Sequence, residues 1–393
     1  MNYRKLLFIL IGLTSFIFYS CNNNPTSAGL GLLKNDYINV KQIDSNTDSL
    51  KQISTNFKRS TPLGISSNIL VGSNSNVQSS SLIQFSIVLD DSVKQDLLAG
   101  NVNVVSSNIY LYPVYTFGDT NSVMDFSVHK VLNSWNPNSI DGDNASSISF
   151  EQSDLSSGRT FTDSLVSFTM DNSVVTSWLK YASDTTTQPA VYGIYLIPSS
   201  NSKKVMGFQA LSIGASNPST LHVVLQKPGV YQDTLTFYPI QDASVVTGSL
   251  PNISSEEFAV QGGLTVNSKL WFDVSSIPKN TVINRALLTL TIDSTASIVG
   301  TDLTSTLDVR LFQDTVNITY DTTQVFTLAR SGNTFQGDIT NYVQSWIDTG
   351  NNLGILLQVT GQEGNLDLFA IKGSNAADRS ARPRLQLTYT SKN

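Results

Sequence analysis

The chain is predicted to be all-β, and three observations carry that expectation. From residue 65 onward, apolar and polar residues alternate with period two in short runs, among them "SLIQFSIVL", "NIYLYPVY", "VYGIYLIP", "LWFDV", "ALLTLTI" and "RLQLTYT". Glycine, asparagine, serine and proline separate the runs, which is how sandwiches and barrels place their turns. Long helical periodicity is absent, leaving "DNSVVTSWLKYA" and "DITNYVQSWIDT" as the only short helix candidates.

The elements follow in order from the N-terminus. Arg4 and Lys5 precede an apolar stretch, Leu6 to Tyr19, that is short for a membrane span and laid out as an export signal. It ends at Ser20 and Cys21, a small residue before the only cysteine. This resembles a bacterial lipoprotein signal, in which cleavage before the cysteine leaves it to carry acyl chains, although Phe18 stands where leucine is usual. An ordinary signal peptide with an incidental cysteine is the plainer alternative. Residues 1–20 are therefore expected as the signal, and 21–59 as an acylated cysteine and spacer in which "LLKNDYINV" is a candidate first strand. With Cys21 used for lipid, no thiol remains for a disulfide, a thiolate metal site or a nucleophile. No later stretch approaches 18 apolar residues, so the lipid would tether the chain rather than span the bilayer.

Charged residues make up only 14% of the chain, against about 25% in an average soluble domain. Serine, threonine and asparagine fill the gap, as suits an exported β-rich protein. The net charge is −6 with no basic run after residue 5, so nucleic acid is not an expected partner.

Beyond the spacer the sequence repeats itself. Phe85 corresponds to Phe272, Leu111 to Leu290, Trp178 to Trp346, Gly193 to Gly354 and Pro218 to Pro383. Phe85 and Trp178 lie 93 positions apart, Phe272 and Trp346 only 74, so the first copy carries an insertion, most simply in the segment that begins at Trp135. Two β domains are expected, at 60–227 and 232–391, each with one short helix. In the second helix Ile339, Tyr342, Val343 and Trp346 share one face behind Asp338 as N-cap. Trp178 and Trp346 are therefore read as structural plugs at one end of each core.

The second copy resembles a DNRLRE-type domain, the disaggregatase-related repeat. The likeness rests on "SKLWFDVSSIPKNTVINRALLTLTI", "DITNYVQSWIDTGNNLGILLQV" and "DLFAIKGSNAADRSARPRLQLTY". In the first copy "SIVLDDSV" replaces the serine-proline turn, and "NPSTLHVV" lacks counterparts of Arg382 and Arg384. The resemblance implies two tandem jelly-roll-like antiparallel β-sandwiches. It also implies company with carbohydrate-binding modules and cell-surface proteins, some relatives binding acidic polysaccharides.

Candidate chemistry is sparse. His129 and His222, the only histidines, sit inside strands with no setting for a catalytic triad or zinc site. Glu256, Glu257 and Asp273 read as surface carboxylates, so the chain is expected to be non-catalytic, with a polysaccharide lyase or glycosidase as the alternative. Asp141, Asp143 and Asn144 surround a glycine and form a weak candidate for structural calcium, or equally a hairpin turn. Alternation from Leu111 sends Tyr110 and Tyr112 outward, with Tyr115 and Phe117 close behind, a candidate glycan platform. Ordinary strand propensity with burial against a neighbouring domain is the competing account. The expectation is a lipid-anchored protein of the bacterial cell envelope, on the outer membrane, that binds polysaccharide or another envelope component. A purely structural or adhesive protein without a glycan ligand is the alternative.

Overall fold

The computed structural model describes residues 39–48, 50–74, 76–210, 217–302 and 306–391. The signal segment and Cys21 lie outside the described residues. Among those residues the chain is mostly antiparallel strand, as expected, in one sheet of twelve strands and one of eleven. Three α-helices accompany them: α1 (Asp91–Leu98), α2 (Asn172–Ser183) and α3 (Thr340–Thr349).

Strands between Asn68 and Gly248 build the eleven-stranded sheet, here the N-terminal half. The strands of residues 257–391 build most of the other, the C-terminal half. Each half contains one long strand that bends from one layer to the next. Tyr231–Gly248 pairs first with Thr220–Lys227 and then, from Tyr238 onward and with a bulge after Pro239, with Val77–Ser86. Thr281–Ile298 pairs with Arg384–Ser391 before turning onto Leu368–Lys372. The bends let each sheet fold over its own apolar face.

Period-two alternation fills the space between the layers. Ile109, Leu111, Phe168, Leu221 and Val223 pack in the same core as Ile83, Phe126, Val128, Ile194 and Leu196. In the C-terminal half Leu288 and Leu290 are buried while Thr289 and Thr291 stay partly exposed. A helix is part of each core. Val175, Trp178 and Leu179 are the buried face of α2; Tyr342, Val343, Trp346 and Ile347 are that of α3. Both tryptophans are 2% exposed. Asp171 caps α2 by accepting from the Ser173 amide at 2.7 Å. In α3 the N-cap position falls to Ile339 rather than Asp338, yet Asp338 still accepts from the Thr340 amide at 2.8 Å. Helix α1 was not expected, because eight residues burying one leucine, Leu97, leave no periodic signal.

Gly193 and Gly354 do the same work in their halves. Both have positive φ, 88° and 87°. A Cβ on either would meet the carbonyl oxygen of the adjacent strand, Ile83 or Leu270.

Two expected boundaries need correcting. Residues 39–58 do not form a spacer: Asn39–Asp44 pairs with Arg384–Ser391, and Gln52–Lys58 pairs with Val266–Phe272. Ile43 and Leu50 pack against the C-terminal core, which pulls this segment off the solvent path expected for it. Residues 232–248, expected to open the second domain, pair with the N-terminal half instead.

The halves meet through an apolar cluster including Leu70, Tyr115, Phe117, Val205, Leu264, Val266, Leu366 and Leu368. At its centre the Tyr115 hydroxyl donates to Asp367 Oδ1 at 2.8 Å and accepts from the Leu366 amide at 2.9 Å. Gly300 lies so close to the ring that a Cβ there would stand 2.2 Å from it.

Candidate functional site

The outer face of one C-terminal layer carries the most unusual chemistry. There Lys269 stands opposite Thr55 on one side and Leu356 on the other, and Leu356 stands opposite Arg310. Their strand neighbours Leu270, Ile355, Leu357 and Val309 are core residues, so Lys269, Trp271, Leu356, Arg310 and Phe312 share the other face. Arg59 and Arg310 both lie over the Tyr320 ring, at 5.6 and 5.7 Å from its centroid. Lys269 Nζ lies over Phe312 at 5.9 Å, and Phe57 sits 6.4 Å from that ring.

None of these three cations stands within ion-pair distance of a carboxylate among the described residues. Arg310 Nε is buried and makes no hydrogen bond, and in the adjoining row Asn267 Oδ1 and Gln358 Oε1 are buried in the same condition. Burial holds the Lys269 ammonium below its ordinary value. Asp321 feels Arg310 only as a minor influence, its lowered pKa coming first from the Thr323 hydrogen bonds. In a protein of net charge −6, three cations that lie over rings and make no ion pair among the described residues are groups able to receive an anion.

The matching face of the N-terminal half is chemically different. Leu82, Val131, Tyr195, Ala243 and Val245 make it apolar, and Trp135, Ile140, Ile148 and Phe150 pack over it. The insertion is thus a cover for a greasy sheet face. It leaves an open groove of about 420 Å³ lined by Trp135, Asn136, Ser139, Asn144 and Ile148, among others. The Trp135 indole N–H donates to the Tyr192 carbonyl at 2.9 Å, tying the cover down.

The candidate tyrosine platform divides. Tyr110 and Tyr112 are partly exposed, with Tyr110 edge-on to His222 at 4.8 Å. Tyr115 and Phe117 are buried between the halves and leave the platform. Their strand, Pro113–Phe117, is an edge partner of Val205–Gln209. The alternation that sends Tyr110 and Tyr112 outward gives Tyr115 and Phe117 the inward parity of Leu111, and the strand keeps that phase, with Val114 exposed.

Asp141, Asp143 and Asn144 form a self-satisfied turn. Asp141 Oδ1 accepts from the amides of Asp143 and Asn144 at 2.9 and 3.2 Å, and Asn144 Nδ2 donates to the Ser139 carbonyl. No group of three or more metal-ligating His, Cys, Asp or Glu side chains occurs among the described residues.

One contact was missed in the sequence. Ser127 Oγ lies 2.7 Å from His129 Nε2, while His129 Nδ1 lies 2.9 Å from the Glu151 carbonyl. A carbonyl only accepts, so Nδ1 carries a proton. The ring is buried and tilted against Phe150. Glu257 and Asp293 share Lys372, at 2.6 and 2.7 Å. That lysine first, then Thr295, holds Asp293 far below the ordinary carboxylate value, the opposite of what an acid catalyst needs.

Among the described residues no helix is long and apolar enough to cross a membrane. No protein-family model matches the chain, and no curated protein matches it either.

Proposed function

We propose that the protein is a non-catalytic, lipid-anchored protein of the bacterial outer membrane that binds anionic polysaccharide through the outer face of its C-terminal half. The observation that carries the reading is the set of Arg59, Lys269 and Arg310 over the Tyr320 and Phe312 rings, without ion-pair partners among the described residues. Phe312 is buried and braces Lys269, whereas the partly exposed Tyr320 can meet the C–H face of a sugar, and the unpaired guanidinium and ammonium groups receive carboxylates or sulfates. An anion here would offset the desolvation of Lys269 and supply an acceptor for Arg310 Nε. The anchor is expected at Cys21, eighteen positions before Asn39, so the tether leads into the half that carries this face. On the likeness drawn from residues 268–389, each half is read as a jelly-roll-like sandwich of DNRLRE type.

The test is affinity electrophoresis through gels holding a polyuronate, a sulfated glycan or a neutral glucan. The native chain is expected to be retarded by an anionic polymer and not by the neutral one. Lys269→Gln with Arg310→Gln should abolish the retardation without lowering the thermal midpoint by more than a few degrees. Retardation that survives this double substitution but is lost in Tyr110→Ala with Tyr112→Ala would move the site to the N-terminal half. Passage of the native chain unretarded through every gel would sink the proposal.

A further inference from the structure

Two segments of the chain are counterparts in the fold. Residues 231–237 run antiparallel to Thr220–Lys227, and the same strand then pairs with Val77–Ser86. Residues 39–44 run antiparallel to Arg384–Ser391, and 52–58 then pair with Val266–Phe272. Each segment edges the last strand of a half and then crosses to a strand carrying one of the two matched phenylalanines, Phe85 or Phe272.

Their ownership is crossed. Residues 231–248 lead into the C-terminal half but complete the N-terminal one. Residues 39–58 lead into the N-terminal half but find all their strand partners in the C-terminal one. A tight turn between Lys227 and Tyr231 ties the first of these to its partner strand. Among the described residues no such tie joins 39–58 to its partners, which lie more than 200 positions away in sequence.

Side-chain contacts seat this segment on the C-terminal half, and Lys58 Nζ also donates to the Gly248 carbonyl at 3.2 Å. Arg384 Nε reaches both carboxylate oxygens of Asp44 at 3.0 Å. The Leu385 amide donates to Ser45 Oγ at 2.8 Å, and the Ser374 amide to Ser54 Oγ at 2.9 Å. Arg379 donates to the Asp48 carbonyl at 2.6 Å. Without residues 39–58, the edges of Arg384–Ser391 and Val266–Phe272 would present unpaired backbone, a template for a strand from any source.

We propose that this slot accepts residues 39–58 of a second copy of the chain, so that copies join by exchanging their N-terminal segments. Every hydrogen bond named above re-forms unchanged in the exchanged state, because its partners are the same residues. Exchange is therefore governed by concentration and by the cost of moving the connecting residues 59–67, where Leu63 is buried in the cluster between the halves; the tethered segment competes at an effective concentration on the order of millimolar. Dilute chains close on themselves, and chains refolded at comparable density join. Such joining supplies the self-association on which a structural, adhesive role would rest.

The experiment uses the full chain with Cys21→Ser, which leaves no other cysteine. One preparation carries Ser54→Cys and another Ser374→Cys, two positions whose hydroxyl oxygens lie 3.2 Å apart. The two are unfolded, mixed, refolded across a range of concentrations and oxidised. A covalent dimer that grows with protein concentration, and is absent when either preparation is refolded alone, is expected. A mixture that gives no covalent dimer at any concentration, while the chain carrying both substitutions closes its own disulfide, overturns the proposal. An independent reading comes from the unsubstituted chain refolded at high concentration. Size exclusion should show dimers or longer species, and monomer alone at every concentration counts equally against exchange.

Discussion

Tyr115→Phe removes one oxygen atom from the seam between the halves, and its effect can be worked out from the contacts. The lost hydroxyl is the acceptor for the buried Leu366 amide and the donor to Asp367 Oδ1. Asp367 keeps the Gly300 amide at 2.8 Å, but the Leu366 N–H loses the acceptor it has here. Stranding a buried donor costs about 1–3 kcal/mol, and a hydrogen bond to a charged acceptor contributes about 1.5–3. Because the two share one oxygen, a total near 3 kcal/mol is expected. Burial first, and then Asp367, push the Tyr115 phenol far above its ordinary value, so it remains a donor into alkaline solution. Differential scanning calorimetry should show the midpoint falling by several degrees, with the halves beginning to melt separately. Tyr110→Phe, on the partly exposed neighbour, should leave the trace unchanged. A Tyr115→Phe midpoint within a degree of the native one would refute the reasoning and return this ring to the list of ligand contacts.

Trp346→Ala should cost about 3–5 kcal/mol in urea denaturation, as expected for a buried large side chain. Trp346→Phe should cost clearly less, since the indole N–H makes no hydrogen bond; equal losses would contradict this. Asp44→Asn should weaken the edge strand Asn39–Asp44 by about 1 kcal/mol, the scale of a partly exposed ion pair, and speed amide exchange there. Acid should act through the same groups. Hydrogen bonds from Arg384 lower the pKa of Asp44, and those from Lys372 lower that of Asp293, both from an ordinary value of 3.8. A depressed folded pKa contributes stability that is present above the unfolded value and lost as pH falls through the folded one. The thermal midpoint should therefore hold down to roughly pH 5 and drop below about pH 4, with a shallower drop in Asp44→Asn. A midpoint that rises on acidification would contradict the assignment.

The all-β class, the inward Leu288 and Leu290, and the tryptophan plugs were legible because each follows from local period or spacing. The partners of residues 39–58 were not, since nothing in "YINVKQID" distinguishes pairing with a strand near residue 388 from pairing with its neighbours. The same limit hid the cationic face. Lys269 and Trp271 are out of phase with the core residues Leu270 and Phe272, and Arg59, Arg310 and Tyr320 join them only through long-range pairing. Tyr115 was misplaced for a different reason. It has the inward parity of Leu111, so alternation itself pointed it and Phe117 to the interior, and nearness to Tyr110 and Tyr112 was no ground for setting them on the outward face.

Hydrogen exchange of the full chain, with and without a polyuronate, tests the central claim most directly. Slower exchange in peptides covering 52–59, 266–272 and 306–320 is the predicted result, with the rest of the chain unaffected. No slowing at these peptides, or slowing confined to 108–112 and 220–224, would contradict the assignment of the binding face to the C-terminal half.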